Sequence, residues 1–282
     1  NDPIVIGAGV SGAYKGSIDA FKMYSRVIKQ DEIASEYDSK YNLLRYTFED
    51  ISDNKVKDSY SGNNFGFING SSRKAGLEGY GLSFDGDRDY VEVYDTDYLD
   101  LSSGSFTISL WVKTSSNAEQ TLIEKMNSNR SKGYSLRMED GIPEFSSYCN
   151  TTNVDDVVGD YSLADNKWHH VAVLKDNSDT RTYLYVDGEA VASRSDTGCN
   201  DYSNSQIMRI GARLYPTSGK YYNGLIDEME ILGFALPSGE VDDLYQNFAD
   251  EASSNGTSTS NNLTGSQNSS CQPSWSCSWG SC

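Results

Sequence analysis

Histidine is almost missing from this 282-residue chain, with two in all, and basic residues are few, 23 Lys+Arg against 41 Asp+Glu. Five cysteines are present, none of them at C-x-x-C spacing. With so few nitrogen and sulfur ligands, a zinc module is a poor reading. The formal net charge of −18 repels phosphate backbones, which argues against a nucleic-acid partner. No run approaches the ~18 apolar residues of a membrane span, and no signal-peptide pattern opens the chain. What is plentiful is aromatic and polar: aromatics make up 12%, 20 of them Tyr, and the hydrophobic fraction of 37% suffices for a core.

Surface chemistry points outside the cell. Asn69, Asn129, Asn150, Asn255, Asn262 and Asn268 each open an N-x-Ser/Thr acceptor, the last three within a Ser/Thr/Asn/Gly tract. Cys149 and Cys199 sit in polar, turn-rich segments and make the natural bridge in an oxidising compartment. Cys271, Cys277 and Cys282 crowd the C-terminus in an odd number, so one partner is missing or intermolecular. An extracellular or cell-surface location is expected.

Self-comparison exposes a repeat. Tyr14, Gly16, Ile18, Asp19, Glu32 and Tyr37 recur without a gap as Tyr222, Gly224, Ile226, Asp227, Glu240 and Tyr245. Residues 1–38 thus read as the last strands and helix of a preceding repeat, and residues 39–248 as a complete one. Residues 249–270 read as a Ser/Thr/Asn-rich linker. Residues 271–282, dense in Trp and Cys, resemble the opening of a thrombospondin-type-1-like module.

Inside the complete repeat, short strand patterns alternate with turn signals, as an all-β sandwich requires. Phe106, Ile108, Leu110 and Val112 alternate with Thr107, Ser109, Trp111 and Lys113, the pattern of a strand with one core face. Residues 168–174 and 180–186 read the same way, and Asp187-Gly188 reads as a tight hairpin turn. Further strands are expected at 43–49, 80–86, 89–94, 120–126, 133–138, 142–148, 206–212 and 224–232. The one helix expected is 238–248, with Ser238 as N-cap and Val241, Leu244, Tyr245 and Phe248 on one face.

These residues carry a family resemblance. Gly81-Leu-Ser-Phe-Asp-Gly-Asp-Arg-Asp-Tyr-Val-Glu-Val, Ser105-Phe-Thr-Ile-Ser-Leu-Trp-Val-Lys and Lys167-Trp-His-His-Val-Ala-Val follow in order. Leu184-Tyr-Val-Asp-Gly and Tyr222-Asn-Gly-Leu-Ile-Asp-Glu-Met-Glu-Ile-Leu complete a series that resembles the laminin-G-like, concanavalin A-like jelly rolls. The resemblance implies two antiparallel sheets packed face to face, with residues 43–48 beside 224–232. It also implies a structural calcium ion between the first and last strands. Asp227 matches the closing-strand position, with Glu49, Asp85 and Asp87 on the segments expected to converge there. The other reading leaves these acids solvated or bonded to loop backbone.

Catalysis has little support. Alternation puts Asp227, Met229 and Ile231 on one face of the closing strand and Glu228 and Glu230 on the other, without a third alternating acid. Adjacent on a strand, His169 and His170 point to opposite faces, and no G-x-S-x-G occurs. A glycan site needs an aromatic platform with polar neighbours, for which Tyr148, Tyr161, Tyr202, Tyr215, Tyr221 and Tyr222 in loop-rich stretches are the candidates. The expected object is a non-catalytic adhesion or structural module. It would assemble with other copies or neighbouring modules through edge strands of residues 1–38. A carbohydrate-binding lectin domain and a filament subunit with strand exchange are the alternatives, and a glycoside hydrolase the least favoured.

Overall fold

A computed structural model describes residues 8–9, 12–13, 27 and 41–253, apart from 63, 102–103, 151–153, 197, 199–200 and 215–219. The first repeat copy lies almost wholly outside that range. So do Asp19, Cys199, the three C-terminal cysteines, Tyr215, and Asn255, Asn262 and Asn268.

Strands are numbered in chain order. β1 (Ala8–Gly9) and β2 (Gly12–Ala13) pair with each other. The sandwich begins with β3 (Asn42–Tyr46), β4 (Ile51–Ser52), β5 (Lys55–Lys57), β6 (Phe65–Asn69) and β7 (Ser72–Ala75). It continues with β8 (Tyr80–Asp85), β9 (Tyr90–Val93), β10 (Phe106–Lys113), β11 (Gln120–Met126) and β12 (Gly133–Glu139). Next come β13 (Ile142–Tyr148), β14 (Val154–Val158), β15 (Trp168–Asp176), β16 (Arg181–Val186) and β17 (Glu189–Ser195). β18 (Met208–Ile210) and β19 (Asn223–Leu232) close it, followed by helices α1 (Ser238–Gln246) and α2 (Ala249–Ser253).

Two antiparallel sheets result. One runs β17-β16-β15-β10-β19-β8-β7, with β3 also on β19; the other runs β14-β13-β12-β11-β18-β9-β6-β5-β4. The first strand lies beside the last, as the resemblance implies: Leu44 faces Ile231 and Tyr46 faces Met229. Between the sheets, Leu44, Ile108, Leu110, Leu136, Phe145, Val173, Ile210 and Ile226 interdigitate in one apolar cluster. Asp187-Gly188, both at positive φ, turns β16 into β17, the left-handed pair a two-residue hairpin favours.

Four features depart from the sequence reading. β10 is buried on both faces, because α1 and α2 cover the outer side of the eight-stranded sheet. There Trp111 stacks on Tyr245 at 5.7 Å and meets Phe248 edge-on at 6.2 Å. Pro237, not Ser238, occupies the N-cap of α1, and it makes no side-chain capping bond. The segment read as linker starts with α2, whose Ala252 N–H reaches the Phe248 carbonyl. Finally, β4 to β7 and β14 have no counterpart among the expected strands, since these short segments carry little apolar periodicity.

The closing strand holds the most consequential departure. Opposite β10 the register slips between Ser109, which faces Glu230, and Trp111, which faces Asp227. The extra residue is a β-bulge with Glu228 at φ 44°, a left-handed conformation costing on the order of 1–3 kcal/mol for a non-glycine residue. Ile226, Met229 and Ile231 point into the core, so Asp227 turns outward, away from the face that strict alternation gives it. At this bulge β19 also passes its free edge from β8, paired to residues 223–226, to β3, paired to residues 229–232.

Candidate functional site

The outer face of the nine-stranded sheet is polar where the inner face is apolar. Register alone builds a row across eight strands: Lys55, Phe67, Glu92, Arg209, Glu124, Ser135, Ser146 and Asp156 are successive cross-strand partners. At about 4.8 Å per strand this row is roughly 34 Å long. A second row beside it sets Thr121 against Arg137 and Arg137 against Glu144.

Ion pairs knit the middle. Arg209 Nη2 donates to Glu92 at 2.7 Å, Arg130 Nη1 to Glu124 at 3.0 Å, Arg213 Nη2 to Glu119 at 2.6 Å and Arg137 Nη2 to Glu144 at 2.6 Å. Lys220 also pairs with Glu119. Burial pushes the Glu119 carboxyl up, but Lys220 and Arg213 pull harder and hold it below its ordinary value. Glu124 is fully buried and accepts the Leu214 backbone N–H at 2.8 Å.

Hydrogen-bonding capacity is left over. Among the described residues, nine side-chain polar atoms are buried without a hydrogen-bond partner, and five lie on or against this face: Thr121 Oγ1, Ser135 Oγ, Arg137 Nε, Asp156 Oδ1 and Arg213 Nε, the last 3.9 Å from Glu124. Buried polar groups normally find partners, so this concentration is hydrogen-bonding capacity left unspent just beneath the face. At the far end the row becomes aromatic. Phe67 and Tyr94 rings lie 4.8 Å apart, Lys55 Nζ sits 5.3 Å from the Phe67 ring, and the Arg209 guanidinium covers Tyr90 at 4.3 Å. Tyr94 is 61% exposed and Phe65 39%.

The tyrosines chosen from sequence do not form a common platform. Tyr202 and Tyr222 are core residues, against Phe106 and Phe84 respectively, which corrects their expected place on a rim. Tyr202 also accepts a hydrogen bond from the buried Lys175 at 2.7 Å. Tyr148 is half-buried at the end of β13, Tyr221 half-buried before β19, and Tyr161 exposed near Asp187. The residues of the polar row were missed because no single segment displays them. Their sequence signal is only a polar side chain at alternate positions of strands chosen for their apolar ones.

The acids chosen for calcium are occupied otherwise. Asp227 Oδ2 accepts the Leu77 N–H at 2.8 Å and Oδ1 the Glu228 N–H at 2.9 Å. Burial pushes this carboxyl up to about 8, although the backbone donors pull it down. Gly76 lies so close that any Cβ there would collide with the carboxylate. Glu49 accepts the Tyr80 N–H at 2.6 Å and pairs with Arg73. Both acids therefore staple the β7–β8 turn. Asp85 faces Asn223 four residues further along β8, about 13 Å away at strand rise. Its Oδ1 accepts the Asp87 N–H at 2.7 Å. No group of three or more metal-ligating side chains forms among the described residues, so these four do not fit one shared cation.

The remaining sequence candidates fall apart in space. His170 is buried against Trp111, while His169 lies between Asp187 (2.8 Å) and Asp165 (3.1 Å), on opposite faces of β15 as expected. Cys149 is disulfide-bonded. Asn129 and Asn150 are exposed, and Asn69 is half-buried at the end of β6. No helix among the described residues is long and apolar enough to cross a membrane.

Known proteins share this architecture. The non-toxic nonhemagglutinin of Paraclostridium bifermentans is 27% identical over 224 residues, 75% of this chain and 18% of that protein. The binding domain of Paraclostridial Mosquitocidal Protein 1 superposes with a TM-score of 0.61 at 17% identity, over 75% of this chain and 53% of that one. The binding domain of botulinum neurotoxin DC, solved with rat synaptotagmin II, gives 0.59 at 17% identity, over 75% and 52%. A structure from botulinum neurotoxin type C, whose cell entry depends on interaction with two ganglioside molecules, gives 0.61 at 17% identity, over 76% and 53%. At these identities the structures establish the fold. The family model of the concanavalin A-like lectin/glucanases superfamily matches residues 85–242, more than half of the sequence, and the chain belongs to that family.

Proposed function

We propose that this chain is a non-catalytic glycan-binding module of a larger extracellular protein, and that the outer face of the nine-stranded sheet is where it binds. The observation that carries the reading is a single polar sheet face with unspent hydrogen-bonding capacity beneath its middle and exposed aromatic rings at its far end. Sugar hydroxyls offer paired donor and acceptor functions, and a sugar ring's C–H face suits an aromatic platform. The similar proteins support a binding role: several are binding domains, one solved in complex with rat synaptotagmin II and one described through gangliosides. The lectin alternative thus gains over the adhesion reading. Catalysis is disfavoured because Glu228 and Glu230 lie under α1, lining a pocket with Leu244 and Phe248 rather than an open cleft.

A glycan array probed with the full chain tests the proposal. A retained glycan should bind Arg137→Ala about tenfold or more weakly, since a charge-assisted hydrogen bond contributes roughly 1.5–3 kcal/mol. Tyr161→Ala should bind as the wild type does. Equal binding by wild type and Arg137→Ala would sink the assignment of the face.

A further inference from the structure

A cavity lies on the opposite side of the molecule from the polar face, between the outer face of the eight-stranded sheet and the end of α1. Its volume is about 200 Å³, and Arg45, Trp111, His170, Glu228, Glu230 and Phe248 are among the residues that line it. For scale, an apolar cavity of about 150 Å³ admits benzene, so this one has room for a compact organic molecule. The bulge at Asp227–Glu228 shapes it, because the slipped register leaves Glu228 and Glu230 together on the outer face of β19.

Charge inside the cavity does not balance. Arg45 Nη2 donates to Glu228 at 2.9 Å, and Tyr60, a neutral donor, to Glu230 at 2.7 Å. Two carboxylates thus face one guanidinium. Burial pushes the Glu228 carboxyl up even with Arg45 beside it, and Glu78 and Glu230 add to the shift. His170 supplies an independent sign of a missing partner. It is fully buried, its Nε2 lies 2.8 Å from Ser109 Oγ, and its Nδ1 has no hydrogen-bond partner. Trp111 and Phe248 also line the cavity, and aromatic rings attract cations.

An anion would meet two carboxylates, and an apolar filler would leave both the charge and His170 Nδ1 unmatched. We propose that this cavity binds a small organic ammonium compound, with Glu228 and Glu230 as counter-charges and Trp111 and Phe248 as walls. The site is distinct from the polar sheet face and does not rest on the glycan reading.

tert-Butylammonium, which carries N–H donors for His170 Nδ1, and its neutral near-isostere tert-butanol separate charge from size. The chain has only two histidines, so the His170 ring is readily followed by NMR in the full protein. tert-Butylammonium at millimolar concentration should shift the His170 ring signals, whereas tert-butanol should not at that concentration. Glu228→Gln and Glu230→Gln, each checked for an unchanged circular dichroism spectrum, should weaken tert-butylammonium about tenfold. Absence of a His170 shift with tert-butylammonium overturns the proposal. An equal shift with tert-butanol overturns it as well, independently of whether either variant folds.

Discussion

Replacing Asp227 by Ala separates a folding staple from a cation ligand. The carboxylate accepts the backbone N–H groups of Leu77 and Glu228, at 2.8 and 2.9 Å, in a fully buried position. Each donor left unpaired costs about 1–3 kcal/mol, so the pair amounts to about 2–6 kcal/mol. For a domain of this size that is a fall in Tm of roughly 5–20 °C. The pH dependence carries a sign of its own. Burial raises the folded pKa of Asp227 to about 8 from an ordinary 3.8, so the folded state holds its proton more tightly than the unfolded one. The resulting stability is complete below the unfolded pKa and is lost as pH rises toward 8, at up to about 1.4 kcal/mol per unit. Thermal melts of wild type and Asp227→Ala, with and without EDTA across pH 5 to 8.5, read all of this (about 1.4 kcal/mol per unit being the steepest slope one group can give). The wild type should ignore chelator and lose Tm with rising pH, and the variant should melt lower with a flatter slope. A chelator-induced drop in wild-type Tm that matches the effect of Asp227→Ala would refute the staple and restore the cation.

Three further outcomes follow from particular contacts. Trp111→Ala removes the stack under α1 and should cost about 3–5 kcal/mol, with faster hydrogen exchange in residues 238–246 than in β10. Lys125 is fully buried between Asp95 (2.7 Å) and Asp100 (2.9 Å). Lys125→Met leaves two carboxylates facing each other and should cost about 3–5 kcal/mol in chemical denaturation. The two histidines should titrate apart by NMR. Burial lowers His170 to about 4, so its share of stability is lost as pH falls from the unfolded value of 6.5 toward 4. Burial also pulls His169 down, but Asp187 and Asp165 outweigh it and raise its pKa, so its contribution disappears as pH rises through the folded value.

Strands with strong alternation were legible in the sequence, because period two in Phe106 to Lys113 and in residues 180–186 sets one apolar face toward the core. The weak strands between residues 51 and 75 were not, since Lys55-Val-Lys buries only Val56 and Ser72-Arg-Lys-Ala is an exposed edge strand, both held by their neighbours rather than by pattern. Alternation also misplaced Asp227, for a bulge shifts every side chain beyond it by one face and leaves no mark in a single sequence. Burial of Trp111 was hidden for a related reason: the helix that covers it arrives some 130 residues later. The candidate site was the least legible part. Phe67, Arg209 and Ser135 come from segments far apart in the chain and become neighbours only through the register of eight strands.

In the function proposed above, a glycan lies along that row. Backbone chemical-shift mapping of the isotopically labelled chain with an array-selected oligosaccharide tests this. Perturbations should centre on Glu92, Glu124, Ser135, Arg137 and Arg209, with the eight-stranded sheet silent. Perturbations confined to the loop around Tyr161, or to the closing strand β19, would contradict it.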